Sequence, residues 1–234
     1  MKKLTRQLVD DYLKEDVTTH RLDTSTCIEY ETLICQRWLR EAPAKRCIYE
    51  ELYGELFASS QRLRILDVGG GLTSLPGNLA VQHEYILADL LAHDSIDVVT
   101  EMTRSVGRDF IIANDWLALP PNQYDIVLTN DLFPNVDQRL ELFLERFLPQ
   151  ASRIKIALTW YDSPRFYITK RIDADEVFCM LAWDSSQLRR VLEKFSSRIV
   201  NPNFDLLGSS EESLYANGRH VCLVEFFGEL GEGR

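Results

Sequence analysis

The sequence predicts an α/β fold built on a doubly wound, mostly parallel sheet. From about residue 61, short apolar runs alternate with segments that carry apolar residues at helical spacing. The runs are mostly apolar rather than apolar at every second position, which is typical of parallel strands buried on both faces. We therefore expect one sheet with helices on both sides.

Residues 1–60 are predicted to form an N-terminal helical cap in front of that sheet. Apolar residues recur at helical spacing over residues 4–13 and again over residues 47–57. Thr26 and Glu29 have the spacing of a capping box, which predicts the start of another helix between these two segments. The cap covers either a ligand pocket or only an edge of the sheet, and the sequence leaves both open.

Residues 61–234 are predicted to form the sheet domain. Its expected strands are the apolar runs Leu63–Leu66, Tyr85–Ala88, Phe110–Ala113, Ile126–Thr129 and Ile154–Thr159. A helix is predicted over Val136–Leu148, where apolar residues fall on one face. The last strand is expected at His220–Phe227, paired with a strand near Phe204–Leu207.

A β-hairpin is predicted as an insertion at residues 165–183. Phe166–Ile172 and Val177–Trp183 are rich in aromatic, branched and other apolar residues and flank a short polar turn. Asp184 and Gln187 then open a further helix as a capping box. The hairpin is expected to cover the substrate or to form the interface of a homodimer, since an extra pair of strands has open edges.

Composition excludes several classes of protein. The chain has 26 Lys and Arg against 36 Asp and Glu, a formal charge of −10, which disfavours a nucleic-acid or anionic membrane partner. No apolar run approaches the roughly 18 residues that span a bilayer, and charged residues interrupt any signal-peptide core. Five cysteines without a CxxC pair predict reduced thiols and no metal site. The expected location is the cytoplasm.

The most informative segment is the glycine turn that follows the first predicted strand. Gly69, Gly70 and Gly71 permit positive φ angles and a close approach of the backbone to a ligand. A turn at this place in a doubly wound sheet is where nucleotides bind. Asp67, two residues earlier, opposes a pyrophosphate and favours a ligand with positive charge. S-adenosylmethionine has an ammonium and a sulfonium group and no phosphate.

Leu66–Gly71 resembles the first motif of the class I S-adenosylmethionine-dependent methyltransferases, a strand followed by D/E-x-G-x-G. Thr73 stands where the fuller pattern has a third glycine. The resemblance covers roughly residues 60–160. It implies a Rossmann-like sheet with an antiparallel last strand, S-adenosylmethionine as cofactor, and binding of the cofactor by Asp67 and the three glycines.

Further positions resemble the family in order and spacing. Asp89 lies 22 residues after Asp67, which implies a carboxylate on the ribose hydroxyls. Ala113–Pro120 resembles the G-D-A-x-x-L-P segment, which implies that Asp115 accepts from the adenine amine and Trp116 packs on the ring. Simpler alternatives stay open: Asp89 and Asp115 also suit helix N-caps, Trp116 suits the core, and the glycines suit a plain tight turn.

The segment Tyr124–Phe133 resembles the fourth strand and the loop that faces the transferred methyl group, with Asn130 beside the cofactor. Amino-group methyltransferases carry (D/N)-P-P-(Y/F/W) where this chain has Asn130-Asp131-Leu132-Phe133, without either proline. That difference favours an oxygen acceptor in a small molecule or peptide. N-methylation remains an alternative.

Methyl transfer from a sulfonium mainly requires alignment, and a hydroxyl or amine acceptor also needs a base. The candidate bases at predicted strand ends are Asp131 and Tyr161 or Asp162; His93, in the loop after Asp89, and His220 also qualify by type. A carboxylate acceptor needs no base because it is already ionised.

Two functions from other classes stay open. One is an NAD-binding oxidoreductase, against which Asp67 and Ser74 count. The other is a catalytically silent methyltransferase-like domain that binds a partner. Pro76 and Gly77 motivate the second, because they weaken the helix expected after the glycine turn.

Overall fold

The computed structural model of the chain describes residues 1–24, 33–92, 95–170, 177–208 and 212–231. The predicted capping box at Thr26 and Glu29 therefore lies outside the described residues, as does the predicted base His93.

The described chain contains these regular elements. The strands are β1 (Lys2–Lys3), β2 (Arg64–Val68), β3 (Glu84–Ala88), β4 (Ile111–Ile112), β5 (Tyr124–Thr129), β6 (Ala151–Tyr161), β7 (Arg165–Lys170), β8 (Val177–Ala182) and β9 (Arg219–Phe227). The helices are α1 (Arg6–Tyr12), α2 (Val17–Thr24), α3 (Ile34–Glu41), α4 (Pro43–Ala58), α5 (Ser74–Gln82), α6 (Ile96–Val106), α7 (Leu140–Phe147) and α8 (Ser185–Lys194). None of the described helices is both long and apolar enough to cross a bilayer.

Seven strands form one sheet in the order β1-β9-β6-β5-β2-β3-β4. The pairs β2–β3, β3–β4, β2–β5 and β5–β6 are parallel, and β9 runs antiparallel to both β6 and β1. The prediction of a mostly parallel, doubly wound sheet with an antiparallel last strand is confirmed. β2 lies between β3 on one side and β5 on the other, so the chain continues from β2 in one direction across the sheet and later in the other. At such a reversal of strand order, doubly wound sheets open a crevice.

Helices cover both faces of the sheet. On one face α4, α5 and α6 bury Leu52, Leu79 and Met102 against the strands. On the other face α7 and α8 bury Phe143 and Leu188. The cap helices α1–α4 thus share one apolar core with the sheet, and the division of the chain at residue 60 stays a prediction.

Helix α5 forms despite its proline and glycine. The Thr73 side chain accepts a hydrogen bond from Leu75 N and caps the helix, so Pro76 falls in the first turn, where proline is tolerated. Gly77 is buried in α5, and a Cβ there would lie 3.5 Å from Val106 Cγ2 on α6, an ordinary van der Waals distance. The weak helix that motivated a silent domain is therefore a regular one.

One predicted strand and the start of one predicted helix are wrong. The segment near Phe204–Leu207 is not a strand but a 3₁₀ turn, Phe204–Gly208. The edge of β9 is paired with Lys2–Lys3 instead, and the three-residue spacing of Phe204 and Leu207 suits a 3₁₀ turn that buries Leu207. The helix predicted from residue 136 begins only at Leu140, because Val136 N and Asp137 N both donate to Leu132 O in a turn.

The predicted hairpin is confirmed as a separate two-stranded sheet of β7 and β8. The polar turn between the strands, 171–176, lies outside the described residues. Side chains on one face are exposed although apolar; they are Phe166, Ile168, Val177 and Leu181. Use of this face by a second copy of the chain stays a prediction.

Replacing Asp184 by alanine is expected to lower the free energy of unfolding by about 1 kcal/mol, the usual value of a side-chain N-cap. The Asp184 carboxylate accepts from Gln187 N, and the Gln187 side chain accepts from Asp184 N, so the substitution removes the carboxylate half of a capping box and leaves the backbone half. Urea denaturation measures the change. Ser185→Ala at the next position is the control, and an equal loss there would contradict the capping role.

Candidate active site

One cavity of about 620 Å³ opens where β2, β3 and β5 end and the helical cap begins. Eight of the residues predicted for the site line it; they are Gly69, Gly70, Gly71, Asp89, Asp115, Trp116, Asn130 and Asp131. The cap contributes Cys35, Trp38, Leu39, Lys45, Ile48 and Tyr49. Asp67 and Tyr161 do not line the cavity. The predicted residues thus converge from strand ends far apart in sequence, as expected at the carboxyl edge of a parallel sheet.

The glycine turn adopts a backbone that requires glycine. Gly69 and Gly71 have φ angles of +69° and +75°. Gly69 N donates to Ala88 O at 2.9 Å, which ties the turn to β3. A Cβ on Gly71 would lie 2.8 Å from Cys35 Sγ, because the cap packs directly on the turn.

Asp67 lies behind the glycine turn instead of in the cavity. It is 1% exposed and accepts hydrogen bonds from Tyr53 Oη at 2.9 Å and Tyr85 Oη at 2.6 Å. Burial raises the pKa of the Asp67 carboxyl to about 7, although both hydrogen bonds oppose the rise. A Cβ on Gly70 would lie 2.4 Å from Asp67 Oδ2, so the carboxyl supports the turn from beneath.

Asp89 joins the glycine turn to the loop after β3. Its Oδ2 accepts from Gly71 N at 3.0 Å and its Oδ1 accepts from Leu91 N at 2.8 Å. The next helix, α6, is capped by Ser95 instead. The N-cap alternative for Asp89 is therefore wrong, and its carboxylate stands at the cavity wall.

Asp115 both caps a short turn and lines the cavity. It accepts from Leu117 N at 2.8 Å at the start of the 3₁₀ turn Trp116–Ala118, which confirms the capping alternative. Arg139 Nη2 donates to Asp115 Oδ2 at 2.7 Å and holds the pKa of Asp115 below its usual value.

Trp116 is a core residue, 3% exposed, packed edge-on against Phe133 and Phe143. Its Nε1 donates to Asp137 Oδ2 at 2.9 Å. The guanidinium carbon of Arg139 lies 4.8 Å from the ring centre, so this arginine covers one face of the indole. Packing of Trp116 on an adenine ring stays a prediction. Arg139, whose planar guanidinium lines the cavity, was not indicated by any sequence motif.

Asp131 is already engaged in an ion pair. Arg219 Nη1 donates to both carboxylate oxygens at 2.7 and 2.8 Å, and Arg219 is only 8% exposed. Asp131 also has a φ angle of +58°, an uncommon conformation for a residue with a side chain. The carboxylate predicted as a base is thus held by a buried arginine from the last strand.

Tyr161 lies behind the cavity and reaches it through Asn135. The Tyr161 hydroxyl donates to Asn135 Oδ1 at 3.2 Å, and Asn135 lines the cavity. Burial raises the pKa of the Tyr161 phenol, so it stays protonated near neutral pH. Of the other candidates, His220 pairs with Asp162 at 3.0 Å and stacks on Trp160, and neither His220 nor Asp162 lines the cavity.

Within the described ranges, no group of three or more His, Cys, Asp or Glu side chains is placed to hold a metal ion.

No family model and no curated protein matches the chain. A solved structure of the 1,6-didemethyltoxoflavin-N1-methyltransferase from Burkholderia thailandensis, with S-adenosylhomocysteine bound, is similar to it with a TM-score of 0.52. The identity is 15%, and the match covers 94% of this chain and 87% of the other. The chain has the class I methyltransferase fold.

The chain is also similar to a solved structure of the magnesium protoporphyrin IX methyltransferase from Synechocystis PCC 6803 with bound S-adenosylmethionine. It has a TM-score of 0.49 and 16% identity, and the match covers 95% of this chain and 96% of that protein.

Proposed function

We propose that the chain is an S-adenosylmethionine-dependent methyltransferase that acts at an oxygen atom of a small molecule or peptide. The observation that carries the proposal is the convergence of the glycine turn, Asp89 and Asp115 on one cavity. The two carboxylates offer acceptors for ribose hydroxyls and for an adenine amine. When bound, the cofactor supplies a methyl group on a sulfonium.

The residues behind the turn suit a cationic ligand. Asp67 lies beneath Gly70, and the structure gives its buried Oδ1 no hydrogen-bond partner. In its ionised form Asp67 therefore favours an ammonium or sulfonium above the turn. We expect Gly69–Gly71 to admit the amino-acid part of the cofactor, with Asp67 acting through the turn as a positioning residue.

The start of helix α5 disfavours a dinucleotide. A pyrophosphate at such a turn binds the free N–H groups of the helix N-terminus. Here Ser74 N donates to Gln36 Oε1 at 2.8 Å, and Leu75 N donates to Thr73 Oγ1 at 3.2 Å. Gln36 is 1% exposed, so a buried cap residue fills the phosphate position. This supports S-adenosylmethionine over NAD.

Asp89→Ala is expected to weaken binding of S-adenosylhomocysteine by about 30-fold or more. The variant loses two hydrogen bonds from ribose hydroxyls to a carboxylate, and each such bond contributes about 1.5–3 kcal/mol to the binding free energy. Isothermal titration on folded protein measures the change. Asp109→Ala, an exposed carboxylate outside the cavity, is the control.

Two results would contradict the proposal. Parent-like affinity of Asp89→Ala would remove Asp89 from the site. Absence of any binding heat with the folded parent protein, together with thermal stabilisation by NAD, would replace the methyltransferase function by that of an oxidoreductase.

A further inference from the structure

Three of the four described carboxylates that line the cavity are ion-paired, and the fourth, Asp89, accepts two backbone hydrogen bonds. The carboxylates that line it are Asp89, Asp115, Asp131 and Asp137. Arg139 pairs with Asp115 and Asp137, and Arg219 pairs with Asp131. Lys45 lines the same cavity, and no carboxylate of the described residues lies within ion-pair distance of its Nζ.

Lys45 stands on an apolar wall. It lies in the first turn of α4, and its Nζ is 5.1 Å from the ring centre of Trp38 on α3. Contact with the face of an indole stabilises an ammonium without neutralising it. Ile48 and Leu39 continue this wall along the cap. The cap side of the cavity therefore offers apolar surface and one available positive charge.

Another wall of the cavity belongs to the loop after β5. Leu132 and Val136 extend the apolar lining, and Asn135 adds one polar group. The Tyr161 hydroxyl donates to Asn135 Oδ1, which turns the amide nitrogen of Asn135 toward Asp131 at 3.5 Å. This part of the cavity suits an apolar body with a hydrogen-bond acceptor.

The described residues of the cavity include no unengaged base. Asp131 is held by Arg219, and Tyr161 lies behind Asn135 as a protonated phenol. No histidine of the described chain lines the cavity. A neutral hydroxyl or amine would have no partner here to take its proton.

We propose that the methyl acceptor is a small carboxylic acid with an apolar body, bound as its carboxylate through Lys45. This inference rests on the proposed function and names its substrate class. A carboxylic acid is ionised at neutral pH, so its oxygen attacks without losing a proton. A bond forms between that oxygen and the methyl carbon while the carbon–sulfur bond breaks and its electron pair goes to sulfur. A carboxylate and a sulfonium become a neutral ester and a thioether, and no proton moves.

The net charge of the chain gives a second argument for a role of the Lys45 ammonium in binding an anionic acceptor. The chain carries a formal charge of −10, which repels an anionic acceptor from the surface as a whole. An unpaired ammonium at the cavity wall offsets that repulsion where the acceptor binds.

The first test uses matched probes. Protein saturated with S-adenosylhomocysteine is titrated with benzoate, cinnamate, indole-3-acetate and octanoate, and with the primary amide and alcohol of each. We expect at least one acid to bind and its amide and alcohol to bind at least about tenfold more weakly. With methyl-labelled cofactor, that acid yields a methyl ester, whose label mild alkali releases as methanol. Failure of every acid to bind, or methylation of an amide or alcohol instead, would overturn the proposal.

The second test separates the acceptor from the cofactor. Lys45→Met keeps the apolar stem and removes the charge, and Lys45→Arg keeps the charge. We expect Lys45→Met to raise KM for the acid about 20-fold with kcat within about threefold, and Lys45→Arg to restore most of the loss. The affinity for S-adenosylhomocysteine should stay within about twofold. An equal loss of that affinity would assign Lys45 to the carboxylate of the cofactor and overturn the proposal.

A pH profile addresses His93, which lies outside the described residues. For a carboxylate acceptor, at saturating cofactor, kcat is expected to be flat between about pH 6 and 9, since the acceptor has no proton to lose and Asp67 acts on cofactor binding. A rise of kcat through an apparent pKa of about 6–7 that His93→Ala abolishes would indicate a base and a neutral acceptor, against the proposal. Normal binding of S-adenosylhomocysteine in every arm keeps these outcomes distinct from failure of the proposed function.

Discussion

Gly70→Ala is expected to abolish measurable binding of S-adenosylhomocysteine and to lower the free energy of unfolding by about 2–3 kcal/mol. A Cβ there would lie 2.4–2.6 Å from three atoms of the Asp67 carboxyl group. That group cannot retreat, because Tyr53 and Tyr85 hold it and the pocket around it is closed. The strain must therefore move the glycine turn itself. Isothermal titration and urea denaturation measure the two effects.

Gly208 provides the matched control. A Cβ on Gly208 meets no atom of the described residues within 4 Å, so Gly208→Ala should leave both quantities unchanged. In the pair Gly70→Ala and Asp67→Ala, the double variant should be less destabilised than the sum of the single variants by about 1 kcal/mol or more. Additive losses would show that the clash with Asp67 is not the cause.

The second large effect is a fall in stability as pH rises, caused by Asp67. Burial raises the pKa of its carboxyl from 3.8 to about 7, so the folded state retains this proton more strongly than the unfolded state. The contribution of Asp67 is complete below about pH 4 and is lost as pH rises through about 7. The shift corresponds to about 4 kcal/mol.

Asp67→Asn is expected to remove this loss, because an amide has no charge to bury. Urea denaturation between pH 4 and 8 should show a smaller decline for this variant than for the parent protein. Asp109→Asn, at an exposed carboxylate, should follow the parent. A parent-like decline in Asp67→Asn would assign the pH dependence to other groups.

Much of the fold was predictable because its determinants are local. Each longer parallel strand contains a mostly apolar run in the sequence, and the capping box of Asp184 and Gln187 follows from the spacing of those two residues. The glycine turn is likewise encoded by adjacent residues. Since the carboxyl ends of parallel strands meet at one edge, Asp89 and Asp115 were placed together without a structure.

Other features depend on contacts between distant segments and have no signal in sequence. Arg219 reaches Asp131 across 88 positions, and Lys45 meets the cavity only because the cap folds over it. The strand expected near Phe204 failed for the same reason, since β1 had taken the edge of β9. Asp67 was predicted beside a ligand, but Tyr53 of the cap encloses it.

The pairing of β1 with β9 also determines the order in which the sheet is completed. Lys3 pairs with Cys222, and closing a loop of that length costs roughly 5 kcal/mol in chain entropy for only two paired residues. Strands β2 to β6 join neighbours much closer along the chain, so they assemble sooner. During synthesis the edge of β6 stays open until β9 emerges, and an open strand edge is a template for association. Amide exchange should accordingly be fastest at β1 and slowest at β5, the strand enclosed by β2 and β6.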